Sequence, residues 1–373
     1  MHLPAYIEYL IAFATSLAIS LFTIPQIIYI ANRKRLFDLP DNFRKVHERR
    51  TISNLGGVGI FFAYSIGTSL FIHFFKNWDI YNKWNYIMAA SSIFFLVGMT
   101  DDLIALRAMK KLSAQLVPVI IIIFGADIRI ESFHGIFGVQ ELPYWFSVAL
   151  TGSLYLFFTN AFNLIDGINW LAGSMGVLAT FCFGVLLFLE GHEGSACIAF
   201  TMMGAIIGFL RYNITPARIF MGDTGSLLLG FTIIILCVMS LGGYTSGAHI
   251  TALVHTPGAM FTMGVGVLSI PLFDCFRVFF SRLSKGKPPF LADRNHMHHY
   301  FLDLGFSHLQ AVGAMIAGNI FLIIMAWLLE GLNPALAITI LFLVASLLFF
   351  ILRTARNMHL AKKEKLSLNN PSI

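Results

Sequence analysis

Eleven stretches of this chain are apolar for about the length that a helix needs to cross a bilayer, and short polar segments separate them. A hydrocarbon core about 30 Å thick takes roughly 20 residues of helix. By that measure the runs lie near residues 5–31, 56–75, 85–100, 112–125, 143–161, 171–189, 195–211, 224–241, 257–280, 309–329 and 334–353. The fourth is short, and the segment after it, from Asp127 to Glu141, predicts a small strand or hairpin outside the membrane. The first run starts at about Ala5 with no basic residue ahead of it, which predicts a retained helix and not a cleaved leader. The pattern predicts an all-α polytopic membrane protein of about eleven transmembrane helices. Residues 1–355 form its single domain, and 356–373 a basic tail.

Composition agrees with lipid as the solvent. Of 373 residues 57% are apolar and 12% charged, about half the charged share of a soluble domain. A net charge of +6 therefore says little about nucleic acid, and none is expected as a partner; what matters is where the basic residues lie. Of the 25 lysines and arginines all but Lys76, Lys83 and Arg129 fall on one side of the eleven-span arrangement. Positive charge stays inside, so the N-terminus is expected outside and the C-terminus in the cytoplasm. Cys182, Cys197, Cys237 and Cys275 all lie in apolar segments without ligand spacing, and are read as small buried hydrophobes.

The candidate chemistry then falls on the cytoplasmic side, in five segments. They are Asp38 to His47 with Arg44 and Lys45; Asp101-Asp102 ending the third span, with Lys111 beyond; Asn160-Ala-Phe-Asn163-Leu-Ile-Asp166-Gly167; Arg211 and Asn213 through Met221-Gly222-Asp223-Thr224-Gly225-Ser226; and Asp293-Arg294-Asn295-His296-Met-His298-His299. Acidic residues beside a bilayer are costly and mark function. Asp101, Asp102, Asp166 and Asp223, gathered at one face, would repel one another unless a cation lay between them. Oxygen donors without cysteine favour a hard ion, Mg²⁺ with Mn²⁺ as the alternative, its shell completed by phosphate. Lysines, arginines and histidines in the same region suit an anionic substrate, and acid and base together suggest metal-assisted phosphoryl chemistry. Amides beside Gly222 and Gly225, opening a helix, could meet a phosphate. Each segment alone has an ordinary reading as a helix cap or turn, and Asp274 with Arg277, three residues on, reads as a structural pair. Those readings do not account for five such segments on one face.

Together the five segments resemble the polyprenyl-phosphate N-acetylhexosamine-1-phosphate transferases, relatives of the bacterial phospho-N-acetylmuramoyl-pentapeptide translocase. The resemblance runs in the family's order from about residue 30 to 310. It implies ten or eleven helices around a cytoplasmic-face active-site cleft in the bacterial cytoplasmic membrane. The implied activity passes a sugar phosphate from a UDP-N-acetylhexosamine to undecaprenyl phosphate and releases UMP, opening a cell-envelope polysaccharide such as O-antigen lipopolysaccharide. By motif match Asp223 and Asp166 would hold Mg²⁺, and Asp101 and Asp102 would stand near the attacking lipid phosphate, with Lys111 as a phosphate contact. Asn163 and Asn213 would line the nucleotide side. Arg294, His296, His298 and His299 would bind pyrophosphate or sugar, and Lys45 and His47 belong to the same basic rim. Two positions depart from the family's pattern, Ala105 for an aspartate and Asn169-Trp170 for Asp-Gly, so neither inherits a catalytic role.

Direct attack by the lipid phosphate is the favoured chemistry, because a phosphate monoester with a second pKa near 6 is mostly dianionic at neutral pH. Asp101 or Asp102 could take the residual proton. A double displacement through an aspartyl-phosphate at Asp166 or Asp102 is the alternative. The rival readings are the pentapeptide translocase itself and an ion-coupled transporter. A transporter would place its ionisable groups near the midplane and not at helix ends. No dimer motif stands out, and the oligomeric state is left open, a homodimer included.

Overall fold

The computed structural model describes residues 4–37, 52–74, 78–242, 254–286 and 295–369. Eleven helices in it are long and apolar enough to span a membrane, as the hydropathy pattern predicts. They are α1 (Ala5–Lys34), α2 (Gly56–Phe71), α3 (Trp78–Ile104), α4 (Ala108–Ile120, continued by a wide turn to Gly125), α5 (Tyr144–Ile165), α6 (Leu171–Leu189), α7 (Glu193–Asn213), α8 (Gly222–Gly242), α9 (Pro257–Leu283), α11 (His308–Leu328) and α12 (Pro334–Asn369). A short α10 (Met297–Asp303) lies between α9 and α11. α12 runs unbroken through residue 355. The protein is a multi-pass membrane protein, and its long elements among the described residues are all helices. The expected hairpin after α4 is present and short: the Leu142 N–H donates to the Glu131 carbonyl and the Phe133 N–H to the Gln140 carbonyl, both at 2.8 Å, on either side of a turn at Ile136–Gly138.

α8 is the axis of the bundle, buried over almost its whole length and packed by α2, α3, α5 and α6. Lipid gives helices no hydrophobic reason to associate, so close packing and hydrogen bonds must hold them. The seam of α1, α2 and α7 shows both. The Ser16 hydroxyl donates to the carbonyls of Ala63 and Thr201, and that of Ser20 to Ala205. Gly204 and Gly208 leave room for the backbone of α1; a Cβ on Gly204 would stand 2.4 Å from the Phe13 carbonyl oxygen. α9 carries Pro271, which has no N–H for the Val267 carbonyl one turn back. Asn319 of α11 repairs this gap: its amide donates to that carbonyl at 2.9 Å and its oxygen accepts from the Ile270 N–H at 3.0 Å.

At the end of α6, Glu190 is 5% exposed and neither carboxylate oxygen has a hydrogen-bond partner. Burial pushes its pKa up to about 8 from 4.5, so the folded protein holds it neutral at pH 7. The unfolded chain releases that proton above about pH 4.5, so the stability it supports is full below that and is lost as pH rises towards 8. Glu190→Gln keeps the shape without the ionisation. At pH 7 it should stabilise by up to about 3 kcal/mol, at 1.4 kcal/mol per pH unit. Thermal unfolding in detergent across pH 5–8 reads this out, and parallel pH slopes for the two proteins would refute it.

Candidate active site

The site forms where α2, α3 and α8 meet backbone to backbone. A Cβ on Gly57 of α2 would stand 2.1 Å from the Gly225 nitrogen, and one on Gly98 of α3 2.5 Å from the Thr224 Cα. This contact delivers the end of α3, with Asp101 and Asp102, onto the first turn of α8. Asp102 accepts from the Asp223 N–H at 2.8 Å with one oxygen. The other accepts from the Thr224 N–H at 2.9 Å and its hydroxyl at 2.6 Å. A helix start has unpaired N–H groups and a partial positive charge. Here the protein's own carboxylate satisfies them. The expectation that a substrate phosphate meets these amides is corrected accordingly, and Asp102 is committed to seating Asp223.

Asp101 takes a different course. One of its oxygens accepts from the Leu106 N–H at 2.6 Å, across a turn in which Ala105 has a φ of 48°. The other lies 2.8 Å from the Lys111 ammonium of α4, which also stands 2.7 Å from Asp223. Asn163 of α5 donates to the second Asp223 oxygen and to the Ser226 hydroxyl, both at 2.7 Å. Four helices thus bring Asp101, Lys111, Asn163 and Asp223 into one cluster, with the paired lysine and aspartate side chains 11–16% exposed. Asp101, Asp102 and Asp223 come together at the start of α8, with Lys111 paired to Asp101 and Asp223 and the α8 amides to Asp102. Among the described residues no three or more His, Cys, Asp or Glu side chains form a metal cage. Gln115 of α4 and Asn160 of α5 exchange amide hydrogen bonds of 3.2 and 2.6 Å, holding Lys111 and Asn163 in register.

Asp166 follows α5 directly, half-buried, three residues from Asn163. Next to it, a Cβ on Gly167 would lie 2.3 Å from His298 Nε2, so the histidine segment is pressed onto this turn. His296 and His298 are 4% and 1% exposed, with rings 5.9 Å apart and nearly parallel, and the His299 ring is 4.2 Å from that of His298. Both ring nitrogens of His298 lack a hydrogen-bond partner. Burial, with His299 beside it, holds its pKa well below the ordinary imidazole range and keeps the ring neutral at neutral pH.

Asn213 departs from expectation. Its oxygen accepts from the Trp170 N–H at 2.7 Å and its amide donates to the Ile219 carbonyl at 2.9 Å, with 5% of the residue exposed. It ties the turn after Asp166 to the loop before α8, with both polar groups of its side chain in use within the fold. The same turn holds Trp170 at φ 75°, a conformation that suits glycine, with its indole N–H donating to the Leu210 carbonyl at 2.9 Å. Lys45, His47 and Arg294 lie outside the described residues.

Comparison with known proteins follows the same landmarks. The model of glycosyl transferase family 4 matches residues 84–241, from α3 to the end of α8, which includes every member of the Asp101–Lys111–Asn163–Asp223 cluster. An undecaprenyl-phosphate alpha-N-acetylglucosaminyl 1-phosphate transferase of Salmonella typhi is 30% identical over 309 residues, covering 80% of this chain and 79% of its own. The chain belongs to this family. A probable undecaprenyl-phosphate N-acetylglucosaminyl 1-phosphate transferase of Bacillus subtilis (strain 168) is 29% identical over 341 residues, 91% of this chain and 89% of its own. The counterpart of Escherichia coli (strain K12) is 28% identical over 329 residues, 86% and 84%.

In this member of glycosyl transferase family 4, sequence reasoning missed Thr224 and Ser226 as partners of Asp102 and Asn163. A Gly-Asp-Thr-Gly-Ser run at a helix start carries that signal only if one asks which groups satisfy the amides. The chemistry open to the cluster is that of paired carboxylates and an ammonium in a half-buried setting. It can hold a cation and phosphate oxygens, and can orient a phosphoryl acceptor against a donor.

Proposed function

We propose that this protein transfers N-acetylglucosamine-1-phosphate from its UDP-sugar to undecaprenyl phosphate, releasing UMP, as the first step of a cell-envelope polysaccharide. One observation carries the reading: within the segment matching the family, Asp101 and Asp223 share the Lys111 ammonium at one end of a membrane-spanning bundle. A site at that position is within reach of a phosphate held at the bilayer surface. The distribution of basic residues supports a cytoplasmic site, where nucleotide sugars are available, and a bacterial cytoplasmic membrane as its location.

The donor set suits a hard cation, because carboxylate and amide oxygens are present and thiolates are not. Asp223, with Asp166 at the adjoining helix end, would hold Mg²⁺ together with oxygens of the pyrophosphate. Such an ion would neutralise charge on the transferring phosphoryl group. The lipid phosphate, dianionic at neutral pH, attacks the β-phosphorus. A new P–O bond forms as the bond from that phosphorus to the bridging oxygen breaks, and UMP departs with the electron pair. Lys111 offsets the charge of the phosphates, and Asn163 holds Asp223 in place. His296, His298 and His299 face the sugar-pyrophosphate side. Asp101 is available to orient the acceptor, whereas Asp102 acts through the start of α8.

The test is UMP release by detergent-purified protein given undecaprenyl phosphate and a panel of UDP-sugars, with Mg²⁺ or with EDTA. Release that needs lipid acceptor and divalent cation and prefers UDP-N-acetylglucosamine is the expected result. Folded protein that releases no UMP from any of these donors, with acceptor and metal both supplied, would overturn the reading.

A further inference from the structure

The histidine segment is presented by an element far from it in sequence. Asp274 lies on α9, one turn beyond Pro271, and is 0% exposed. A buried carboxylate must find donors, and this one finds three. Its Oδ1 accepts from the Arg277 guanidinium at 2.6 Å and from the Met297 N–H at 3.0 Å, while Oδ2 pairs with His296 Nδ1 at 2.9 Å. Arg277 donates onward to the Asn295 carbonyl, and its guanidinium lies 4.0 Å from the centre of the Phe349 ring of α12. The backbone and ring of the residues opening α10 are therefore both fixed from α9.

Chemical consequences follow for His296. An imidazole whose Nδ1–H is held by a carboxylate has its tautomer and ring plane set, and offers Nε2 to whatever it meets. In this structure His296 Nε2 is buried and has no hydrogen-bond partner, beside the parallel ring of His298, whose two nitrogens are likewise unpartnered. Polar atoms so placed are costly unless a ligand completes them. Simple ion pairing between Asp274 and Arg277 would explain neither the bond to the Met297 N–H nor the bond to the histidine.

We propose that Asp274 is a positioning residue for the donor substrate. Through Nδ1 it fixes His296 so that Nε2 faces the sugar-pyrophosphate, and through the Met297 N–H it holds the start of α10 in the same register. The assignment to the donor rests on the transferase reading above. The pairing itself does not.

The test uses the full-length protein in detergent, labelled with ¹⁵N-histidine, with His296→Asn to identify the His296 signals. Wild type should show His296 protonated at Nδ1, and Asp274→Leu should return that ring to the Nε2–H form that free imidazole favours. In kinetics, Asp274→Leu should raise KM for the UDP-sugar about 10-fold or more, the usual scale for a carboxylate that orients a functional histidine. KM for undecaprenyl phosphate should stay within about twofold, and Asp274→Asn should fall between Leu and wild type. Should Asp274→Leu fail to fold, the wild-type tautomer and the Asp274→Asn kinetics still decide. An Nε2–H tautomer in wild type, or an unchanged donor KM in a folded variant, overturns the proposal. Absence of UMP release by wild type would instead remove the transferase reading and leave the tautomer measurement to judge the pairing.

Discussion

Asp223→Asn leaves the fold in place and removes most of the activity. Asparagine has the size of aspartate and one oxygen that can still accept from Asn163, and Lys111 retains Asp101 at 2.8 Å. The Asp102 bonds to the α8 amides involve the backbone of residue 223 and survive the change. What is lost is a negative charge at the one position shared by Lys111, Asn163 and the start of α8. Removing one electrostatic group from a preorganised site costs about 10²–10³ in turnover, and UMP release should fall by at least that much. The thermal midpoint should move little. A variant within about tenfold of wild type would show that Asp223 is no more than a cap for α8.

Gly222→Ala should fail in stability and activity together. Gly222 has φ 70°, a left-handed conformation that costs other residues roughly 1–2 kcal/mol. A Cβ there would also stand 2.1 Å from the Asn54 carbonyl oxygen and 2.6 Å from an Asp102 carboxylate oxygen. Making room displaces Asp102, and the amides of Asp223 and Thr224 lose their acceptor. Each buried amide left unpaired adds about 1–3 kcal/mol, so the total reaches several kcal/mol and is concentrated where the site is built. Gly305 is the control, with φ 91° but no atom within 4 Å of a Cβ, so Gly305→Ala pays the backbone cost alone and keeps its activity. Thermal unfolding and UMP release on both variants check this. Equal losses for the two would remove the argument from close contact.

Asp101 and Asp102 mark the limit of reading this chain as a string. Adjacent and identical, they look interchangeable, yet neighbours on a helix point about 100° apart. One therefore meets Lys111 and the other the first turn of α8. Asn213 fails for a related reason. A polar side chain at a helix end looks available to substrate, and only the approach of Trp170 and Ile219 shows both its donor and its acceptor in use. Asp274 looked like half of an i, i+3 pair, which it is, but the histidine segment that completes its shell arrives from 22 residues further on.

The helices themselves were legible, because a hydrocarbon core imposes one rule on every span: roughly 20 apolar residues with all backbone groups bonded internally. That rule is local, so eleven runs in the sequence correspond to eleven long apolar helices, and the motifs at their ends mark where chemistry gathers. The short segment from Asp127 to Glu141 obeys no such rule, and there the sequence left open whether a strand or a hairpin forms; the structure has a short hairpin. The neutralisation of each carboxylate is not local at all. It depends on which backbone amide or ammonium lies within about 3 Å, and glycine contacts such as those of Gly57 and Gly98 with α8 set those distances only once the helices have packed.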